Sequence, residues 1–275
     1  MRETVMGDEE IPVHDLRTNR PTPARMYDYY LGGKDNFAVD RDAAEQVLAA
    51  APEVRVLARE NRAFLGRVVR FLAGEAGIRQ FIDVGTGLPT QGNVHEVAQS
   101  VAPGTRVVYV DNDPIVRAHA KALLPDDGTT AVVEADMRDP GPILDHPQTR
   151  RLIRFDEPVA VLFMSVLHFI ADEEDPYGLV AAFRDVSVPG SHLALSHITP
   201  PEQGADGAAS AADVYKKRAT SPAILRSPKE IAALFDGYDL VEPGLVNLPK
   251  WRPDDPAAVR DAESIWMLGA AGRKR

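Results

Sequence analysis

Apolar residues occur along this chain in two alternating patterns, short continuous runs and longer stretches with helical spacing. Residues 94–101 show the helical spacing, with Val94, Val97, Ala98 and Val101 forming one stripe. Five alternations of strand and helix predict an α/β fold built on a doubly wound, mostly parallel, Rossmann-like sheet. Two further strands near the end bring the predicted sheet to seven strands. The predicted strands cover residues 80–84, 106–110, 131–134, 159–164, 192–197, 239–248 and 264–270.

The first eighty residues lack strand-like runs, and helical spacing dominates them. Asp40 is a suitable N-cap for a helix over residues 41–51, and Pro52 can open a longer amphipathic helix that ends near Ala73. This segment therefore predicts a helical addition that precedes the sheet.

We expect three regions in the chain. They are a flexible N-terminus (residues 1–20), an N-terminal helical lid segment (residues 21–78) and a Rossmann-like domain (residues 79–272). Within the domain, residues 140–156 predict a loop with several prolines. Residues 200–212, rich in Gly, Ala and acids, predict a flexible insertion, because they offer few apolar anchors.

Three tyrosines near the start of the helical segment precede a polar loop with two glycines. Tyr27, Tyr29 and Tyr30 are followed by G-G-K-D-N-F over residues 32–37. Aromatic rings beside such a loop can close over a bound ligand as a lid. They fit equally well a packed helix that buries its tyrosines and ends at the two glycines. The sequence leaves both interpretations open.

Residues 81–90, F-I-D-V-G-T-G-L-P-T, join a strand to a helix through a glycine turn. Gly85 and Gly87 lack a Cβ, so the chain can turn sharply and its N–H groups can approach a nucleotide-like ligand. A carboxylate inside an apolar strand, such as Asp83, costs several kcal/mol unless it is paired or solvated. It repels a pyrophosphate and suits a cationic amine, which favours S-adenosylmethionine over NAD. NAD would also prefer a third glycine where Thr90 stands.

Polar residues also end the next three strands, at the edge where open parallel sheets bind ligands. Asp111 closes the second strand, and its two oxygens can accept both hydroxyls of a ribose. Asp136 follows the third strand and can accept from an adenine amine, with Met137 or the stem of Asn112 against the ring. Ser165 follows the fourth strand. These positions predict a nucleoside site at one edge of the sheet.

The amino-acid composition of the chain limits the classes of partner that we expect it to bind. The 275-residue chain has a net charge of −10, so we expect no nucleic-acid partner, because proteins that bind nucleic acids usually present a basic face. It has no cysteine, and no side chains at metal-ligand spacing predict a metal site. The N-terminus carries acids where a signal peptide is apolar, and no run reaches the ~18 apolar residues of a membrane span. We expect a cytoplasmic protein without a membrane partner.

The motifs of this chain resemble those of class I S-adenosylmethionine-dependent methyltransferases. They are F-I-D-V-G-T-G, V-V-Y-V-D-N-D, V-V-E-A-D-M-R-D and V-L-F-M-S-V-L-H-F-I. With P-A-R-M-Y-D-Y-Y-L-G-G-K-D-N-F near the start, the chain looks like the actinobacterial S-adenosyl methyltransferases first catalogued as a domain of unknown function, DUF574. The resemblance covers about residues 15–272 and implies S-adenosylmethionine as the cofactor. One departure is L-P-T at residues 88–90, where the usual loop often has a third glycine.

The resemblance also implies roles for individual residues. It places Asp83, Gly85, Thr86 and Gly87 around the methionine moiety, Asp111 at the ribose with Asn112 beside it, Asp136 and Met137 at the adenine, and Ser165 at the end of the fourth strand.

The chemistry of methyl transfer asks little of the protein beyond alignment. The reaction is an in-line displacement, so the protein brings nucleophile and methyl together and excludes water. A base near the methyl helps when the acceptor is a hydroxyl or a protonated amine. His168 and His197 are the catalytic candidates, although either could be structural. The candidates for the acceptor side are Tyr27, Tyr30, Lys34 and Asn36.

Three functions remain open from the sequence. The favoured one is an S-adenosylmethionine-dependent methyltransferase acting on a small-molecule acceptor. A regulatory protein that binds S-adenosylmethionine without turnover would carry the same cofactor motifs, and an NAD-dependent oxidoreductase fits them less well. The sequence names neither the acceptor nor the oligomeric state.

Overall fold

The computed structural model describes residues 18–89, 92–124, 127–259 and 262–275. Residues 1–17, which make up most of the expected flexible N-terminus, lie outside the described residues, as does Thr90.

A central sheet of eight strands organises the described chain. The strands are β1 Gln80–Val84, β2 Arg106–Asp111, β3 Thr130–Glu134, β4 Ala160–Met164, β5 His192–Ile198, β6 Tyr238–Leu240, β7 Val246–Asn247 and β8 Met267–Lys274. They lie in the order β3-β2-β1-β4-β5-β8-β6, with β7 paired to β8 beside this path. The first five run parallel, and β8 is antiparallel to β5 and to β6. The prediction of a doubly wound, mostly parallel sheet is confirmed.

Helices cover both faces of this sheet. They are α1 Pro23–Leu31, α2 Ala38–Ala50, α3 Val54–Gly74, α4 Val94–Val101, α5 Pro114–Leu123, α6 Pro140–Asp145, α7 Pro147–Leu152, α8 Pro176–Val186, α9 Ala205–Arg218 and α10 Pro228–Ala233. One buried apolar cluster joins α2, α3 and α4 to the sheet, and a second joins the opposite face to α8 and α10. Strand order reverses at β1, which lies between β2 and β4, so the ligand crevice of such a fold falls at this switch point.

The last part of the sheet differs from the prediction. The single strand expected over residues 239–248 is two short strands, β6 and β7. Pro243 has no N–H to donate and Gly244 has a φ of 84°, so the ladder is interrupted there. The final strand begins at Met267 rather than at residue 264 and continues to Lys274.

Two predicted loops are helical, and both predictions were wrong. Residues 140–152 contain α6 and α7, whose prolines stand in the first turn, where a missing N–H costs nothing. The expected flexible insertion over residues 200–212 contains most of α9. Its alanines favour a helix, and its small residues let it lie close to α2, since a Cβ on Gly207 would be 2.6 Å from the Ala50 carbonyl oxygen.

The predicted cap of α2 is displaced by one turn. Phe37 is the N-cap residue, and Asp40 stands three residues later, where its side chain accepts from the Phe37 N–H at 2.9 Å. Across the described ranges, no helix is both long and apolar enough to cross a membrane.

Candidate cofactor and acceptor site

A cavity of about 480 Å³ lies over the carboxyl ends of β1, β2, β3 and β4, and we call it the strand-end cavity. Its volume is typical of a site for a nucleotide-sized ligand. The structure brings all nine predicted cofactor residues to its wall. They are Asp83, Gly85, Thr86, Gly87, Asp111, Asn112, Asp136, Met137 and Ser165.

The glycine turn after β1 forms the floor of the strand-end cavity. Gly85 and Gly87 have φ angles of 71° and 66°, in the left-handed region that glycine adopts without strain. A Cβ on Gly85 would be only 2.3 Å from Cγ2 of Val166. The N–H groups of Gly85 and Thr86 both donate to the carbonyl oxygen of Val110, at 2.8 and 3.1 Å, which ties the turn to β2. Only glycine fits the first position of this turn.

Asp83 is a buried carboxylate in the wall of this cavity, with 4% of its surface exposed. Burial raises its pKa to about 6, opposed by a hydrogen bond from the Thr86 hydroxyl and by the charge of Arg62. The Thr86 Oγ1 donates to its Oδ2 at 2.9 Å. An ammonium or sulfonium group in the cavity would stabilise the ionised form, so Asp83 fits a cationic ligand.

Asp111 ends β2 and faces the same space. Its Oδ2 accepts from the Gly87 N–H at 2.8 Å, and its Oδ1 accepts from the Asp113 N–H at 2.9 Å. Burial raises its pKa to about 6 despite these bonds. Each carboxylate oxygen retains a lone pair, so Asp111 can accept from ribose hydroxyls.

Asp136 forms the third acidic position of the cavity. Asn112 Nδ2 donates to its Oδ2 at 3.1 Å, and Arg138 Nη1 lies 3.1 Å from both of its oxygens. Partial burial raises the pKa of Asp136, but the hydrogen bonds and charge of Arg138 and the bond from Asn112 outweigh it, so the pKa is lowered. Asp136 is therefore ionised and can accept from an exocyclic amine.

These groups fit S-adenosylmethionine. The buried carboxylate of Asp83 suits its cationic end, the two oxygens of Asp111 its ribose, and Asp136 with the half-buried Met137 its adenine. Val166 leaves no room for a Cβ on Gly85, so a ligand in the cavity would face the backbone of the turn at this position rather than a side chain.

A second, smaller space of about 70 Å³ adjoins the strand-end cavity, and we call it the apolar chamber. Pro23, Tyr27, Ser165 and Phe169 line both spaces. Residues of α1, α2, α3 and α9 line the chamber above the ends of β4 and β5. Its other walls are Tyr30, Val47, Val54, Leu57, Ala58, His168, Ile198, Ala208, Ala211, Ala212, Tyr215, Ala223, Trp266 and Met267.

A chain of hydrogen bonds holds the boundary between the two spaces. The Ser165 N–H donates to Ser196 Oγ at 2.8 Å, and that hydroxyl donates to Asn61 Oδ1 at 2.6 Å. Asn61 Nδ2 donates to the Tyr27 hydroxyl at 2.8 Å, which donates to the Ala58 carbonyl oxygen at 3.0 Å. Ser165 itself has a φ of 58°, an unusual angle for a residue other than glycine. The network fixes Tyr27 and Ser165 relative to each other.

The two histidine candidates have different surroundings. His168 lines the apolar chamber, whereas His197 is not among the described residues that line either space. The Nδ1 of His197 donates to the Ile198 carbonyl oxygen at 2.7 Å, and its Nε2 accepts from Arg226 Nη1 at 3.1 Å. Burial lowers its pKa to about 4. Both ring nitrogens of His197 are therefore engaged by the protein, and one of them helps to hold Arg226 in place.

The four acceptor-side candidates also differ in their positions relative to the two spaces. Tyr27 and Tyr30 line the apolar chamber, but Lys34 and Asn36 are not among the described residues at either space. Asn36 Nδ2 donates to Asp28 Oδ2 at 2.7 Å, and a Cβ on Gly33 would overlap the Asp28 carboxylate. The loop over residues 32–37 is thus folded onto its own helix, which ends at Gly32 with a φ of 82°.

A buried ion pair fixes α1 beside the cofactor residues. Arg25 Nε lies 2.9 Å from Asp40 Oδ2, and Arg25 Nη1 lies 3.5 Å from Asp113 Oδ2. The Thr22 hydroxyl donates to the same Asp113 oxygen at 3.0 Å. Because the Asp113 N–H donates to Asp111, the start of α1 is linked to the end of β2.

Several residues at the site were missed from the sequence. Asn61 and Arg62 of α3 line the strand-end cavity, and Tyr215 of α9 lines the chamber. One signal was available: Asn61 is polar and falls within the apolar stripe of α3. The part of the chain that the structure describes contains no group of three or more His, Asp or Glu side chains that could hold a metal.

A wider groove of about 790 Å³ lies at the opposite edge of the sheet, beside Gln80 and His192. None of the predicted site residues lines it, and it lies at the amino ends of β1 and β5. Ligands of open parallel sheets bind at the carboxyl ends, so the strand-end cavity is the functional candidate.

Comparison with known proteins agrees with this site. The sequence profile of a family described as S-adenosyl methyltransferase matches residues 9–275. A DUF574 family protein of Streptomyces avermitilis MA-4680 has 44% identity and a TM-score of 0.89, over 94% of this chain and 100% of its own. A protein of Thermobifida fusca YX described as a candidate methyltransferase has 44% identity and a TM-score of 0.88, over 96% and 98%.

More distant structures share the fold alone. An O-methyltransferase family 2 protein of Planctomyces limnophilus DSM 3776, solved with apigenin, has 15% identity and a TM-score of 0.51, over 91% of this chain and 65% of its own. No protein of curated function matches the chain.

Proposed function

Because the chain belongs to the S-adenosyl methyltransferase family, we propose that it transfers the methyl group of S-adenosylmethionine to a small, uncharged, largely apolar acceptor. Methyl transfer with S-adenosylmethionine as cofactor is the activity of the family, and the NAD-dependent alternative has no support in it. The acceptor class is our proposal, and so is its binding place, the apolar chamber together with the adjoining part of the strand-end cavity.

The observation that carries this proposal is the composition of the chamber wall. Of the described residues that line the chamber, none is Asp, Glu, Lys or Arg. A charged acceptor would lose its hydration there without gaining a partner charge, at a cost of several kcal/mol. A small uncharged molecule is the acceptor that fits.

The residues of the chain then align and enclose the reactants. S-adenosylmethionine, when bound, would supply a methyl group on a cationic sulfur. The methyl–sulfur bond breaks as the bond to the acceptor forms, S-adenosylhomocysteine leaves, and the acceptor atom releases its proton if it carried one. Asp83 would hold the cationic end, and Tyr27 and Ser165 would set the distance between cofactor and acceptor, since they border both spaces. Phe169, also shared, would exclude water from the reacting atoms.

Labelled methyl transfer into fractionated cell extract tests this function. The protein is incubated with S-adenosylmethionine carrying a labelled methyl group and with separate small-molecule, protein and nucleic-acid fractions. We expect label in the small-molecule fraction, in material that passes into an organic solvent at neutral pH. Label in protein or nucleic acid instead would contradict the proposed acceptor class.

A pair of variants on α9 tests whether the acceptor binds in the apolar chamber. Ala211 lines the chamber and is 4% exposed, so Ala211→Phe fills the space, whereas Ala209→Phe puts the same ring on the exposed face. We expect Ala211→Phe to bind S-adenosylhomocysteine like the native protein and to lose methyl transfer, and Ala209→Phe to retain both. Native protein that binds S-adenosylhomocysteine yet labels no fraction would favour the regulatory alternative without turnover.

A further inference from the structure

We infer that the acceptor is an aromatic molecule with a hydroxyl group, and that this hydroxyl binds in the apolar chamber, whose wall includes His168 and the Tyr30–Tyr215 pair. The inference rests on the proposed function, because it names the chemical class of acceptor for the same site.

The size of the chamber requires an acceptor that extends beyond it. At about 70 Å³ it is smaller than the roughly 150 Å³ cavity that holds a benzene ring. A ring with its hydroxyl inside the chamber must therefore extend past Ser165 into the strand-end cavity. The hydroxyl is then an anchor, and the atom that receives the methyl lies on the part of the acceptor nearer the cofactor.

The chamber presents aromatic surface to such a ring. Phe169 and Tyr215 pack with their ring centroids 5.4 Å apart, and Trp266 lies on the wall with its Nε1 donating to Glu53 at 3.2 Å. Aromatic pairs in offset or edge-to-face contact add stability beyond the area they bury. A planar ring therefore gains more here than an aliphatic group of equal size.

His168 supplies one polar contact for the anchor. It is 3% exposed, and its Nδ1 has no hydrogen-bond partner among the described residues. Burial, with the nearby His197 and Arg226, lowers its pKa well below the usual range, so the imidazole is neutral. In the tautomer protonated on Nε2, Nδ1 accepts a hydrogen bond. A buried acceptor without a donor is costly, and a ligand hydroxyl would satisfy it once the His168 ring turns its Nδ1 toward the chamber.

The two tyrosines supply a second polar contact. Their hydroxyl oxygens are 3.0 Å apart, and burial keeps both protonated, with the pKa of Tyr215 raised to about 12. Only one of the two hydroxyl hydrogens can lie between the oxygens. The other meets no acceptor among the described residues and can donate to a ligand oxygen. A hydroxyl both donates and accepts, so it satisfies Nδ1 of His168 in either tautomer, whereas a ketone only accepts and a carboxylate or ammonium brings a charge.

Binding of three ring compounds tests the inference. Phenol, toluene and benzoate are titrated into protein saturated with S-adenosylhomocysteine, by calorimetry. We expect phenol to bind at least about tenfold more tightly than toluene, because toluene leaves the buried polar groups unsatisfied. Benzoate should not bind measurably. His168→Leu should weaken phenol about fivefold or more and leave toluene unchanged.

Two further variants serve as controls. His192 is also a buried histidine with an unpartnered Nδ1, but it lines the groove at the opposite edge, so His192→Leu should leave phenol binding unchanged. Ala211→Phe should abolish binding of both phenol and toluene. Equal affinity for phenol and toluene, no effect of His168→Leu, or undiminished phenol binding by Ala211→Phe would each overturn the inference. Failure to bind S-adenosylhomocysteine would instead count against the proposed function, whereas phenol failing to bind the saturated protein would overturn this inference alone.

Discussion

Asp83 and Asp111 are carboxylates in the wall of the strand-end cavity, the first buried and the second partly buried. Burial raises the pKa of each from 3.8 to about 6, so the folded protein holds these protons more tightly than the unfolded chain. The resulting stabilisation is complete below pH 4 and is lost as the pH rises through 6, roughly 3 kcal/mol per group. A cationic ligand reverses this preference, since it favours the ionised form.

The affinity for S-adenosylmethionine should therefore increase with pH. At pH 5 only about one carboxyl in eleven is ionised when its pKa is near 6, so we expect binding about tenfold weaker per group than at pH 7.5. Calorimetry at the two pH values measures this. Asp83→Asn should reduce the ratio of the affinities at the two pH values about tenfold. Asp254 is an exposed acid paired with Arg70, so Asp254→Asn should leave this ratio unchanged. Equal affinity of the native protein at both pH values would refute the role of these acids.

Gly85 allows a sharper test, because an alanine there would have both an unfavourable φ angle and a steric clash with Val166. Gly85→Ala places a Cβ at a φ of 71° and 2.3 Å from Val166, whereas Gly104→Ala meets the same backbone constraint, at 81°, with nothing within 4 Å. We expect Gly104→Ala to lower the free energy of unfolding by about 1–2 kcal/mol. Gly85→Ala should cost clearly more and also abolish binding of S-adenosylhomocysteine. Urea unfolding and calorimetry compare the two, and equal losses would mean that Val166 simply moves aside.

The cofactor residues could be predicted from sequence because their positions follow from topology. Once Asp83, Asp111 and Asp136 are recognised as strand-end residues, a parallel sheet brings them to one edge whatever the details of packing. Lys34 and Asn36 had no such constraint. Their loop folds back onto Asp28 through side-chain hydrogen bonds that no periodic pattern reveals.

At the scale of elements, α1 is the part of the chain whose role the structure changes most. Tyr27 and Tyr30 line the apolar chamber, and the helix packs against the buried apolar cluster of α2 and α3. Arg25 is fully buried, in an ion pair with Asp40 and Asp113. The sequence motif P-A-R-M-Y-D-Y-Y thus combines side chains that face a cavity with side chains that anchor the helix.

Removal of the anchor should destabilise the protein. Arg25→Ala leaves two buried carboxylates without their shared guanidinium, and we expect a loss of about 3–5 kcal/mol in urea unfolding. Arg55→Ala, which removes an exposed pairing with Glu45, should cost less than about 1 kcal/mol. Similar small losses in both variants would show that the buried pair contributes little to the docking of α1.

Helix α9 shows why the acceptor side was harder to predict than the cofactor side. Its sequence is rich in Ala, with few large apolar residues, and this composition resembles a flexible linker. Its close packing against α2 depends on small side chains, with Ala208 and Ala211 buried and Gly207 near a carbonyl oxygen of α2. Hydrophobic periodicity does not detect contacts of this kind, because they depend on small side chains rather than on a pattern of large apolar ones.

At the scale of the whole molecule, the sheet and the N-terminal helices form the ligand site together. The strand ends supply the acids, while Thr22, Pro23 and Ala24 at the start of α1 and Asn61, Arg62 and Leu65 of α3 supply the facing wall of the strand-end cavity. The apolar chamber lies further in, between α2 and α9. Cofactor and acceptor are thus expected to share α1 and α3, whereas α2 and α9 would contact the acceptor alone.

This arrangement predicts where each ligand slows amide hydrogen exchange. S-adenosylhomocysteine should protect residues 22–31 and 61–65 as well as the turns after β1 and β2, because it contacts both walls. The exchange rates of α2 and α9 should change little, because the side chains of these helices border only the apolar chamber. Both helices should gain protection when phenol is added to the saturated protein. Mass spectrometry of exchanged peptides resolves these segments, with β6 at the far edge of the sheet as an internal control. Protection confined to the strand ends would mean that residues 21–78 are not a lid segment but a separate structural addition, and the acceptor would then have to reach the methyl group by another path.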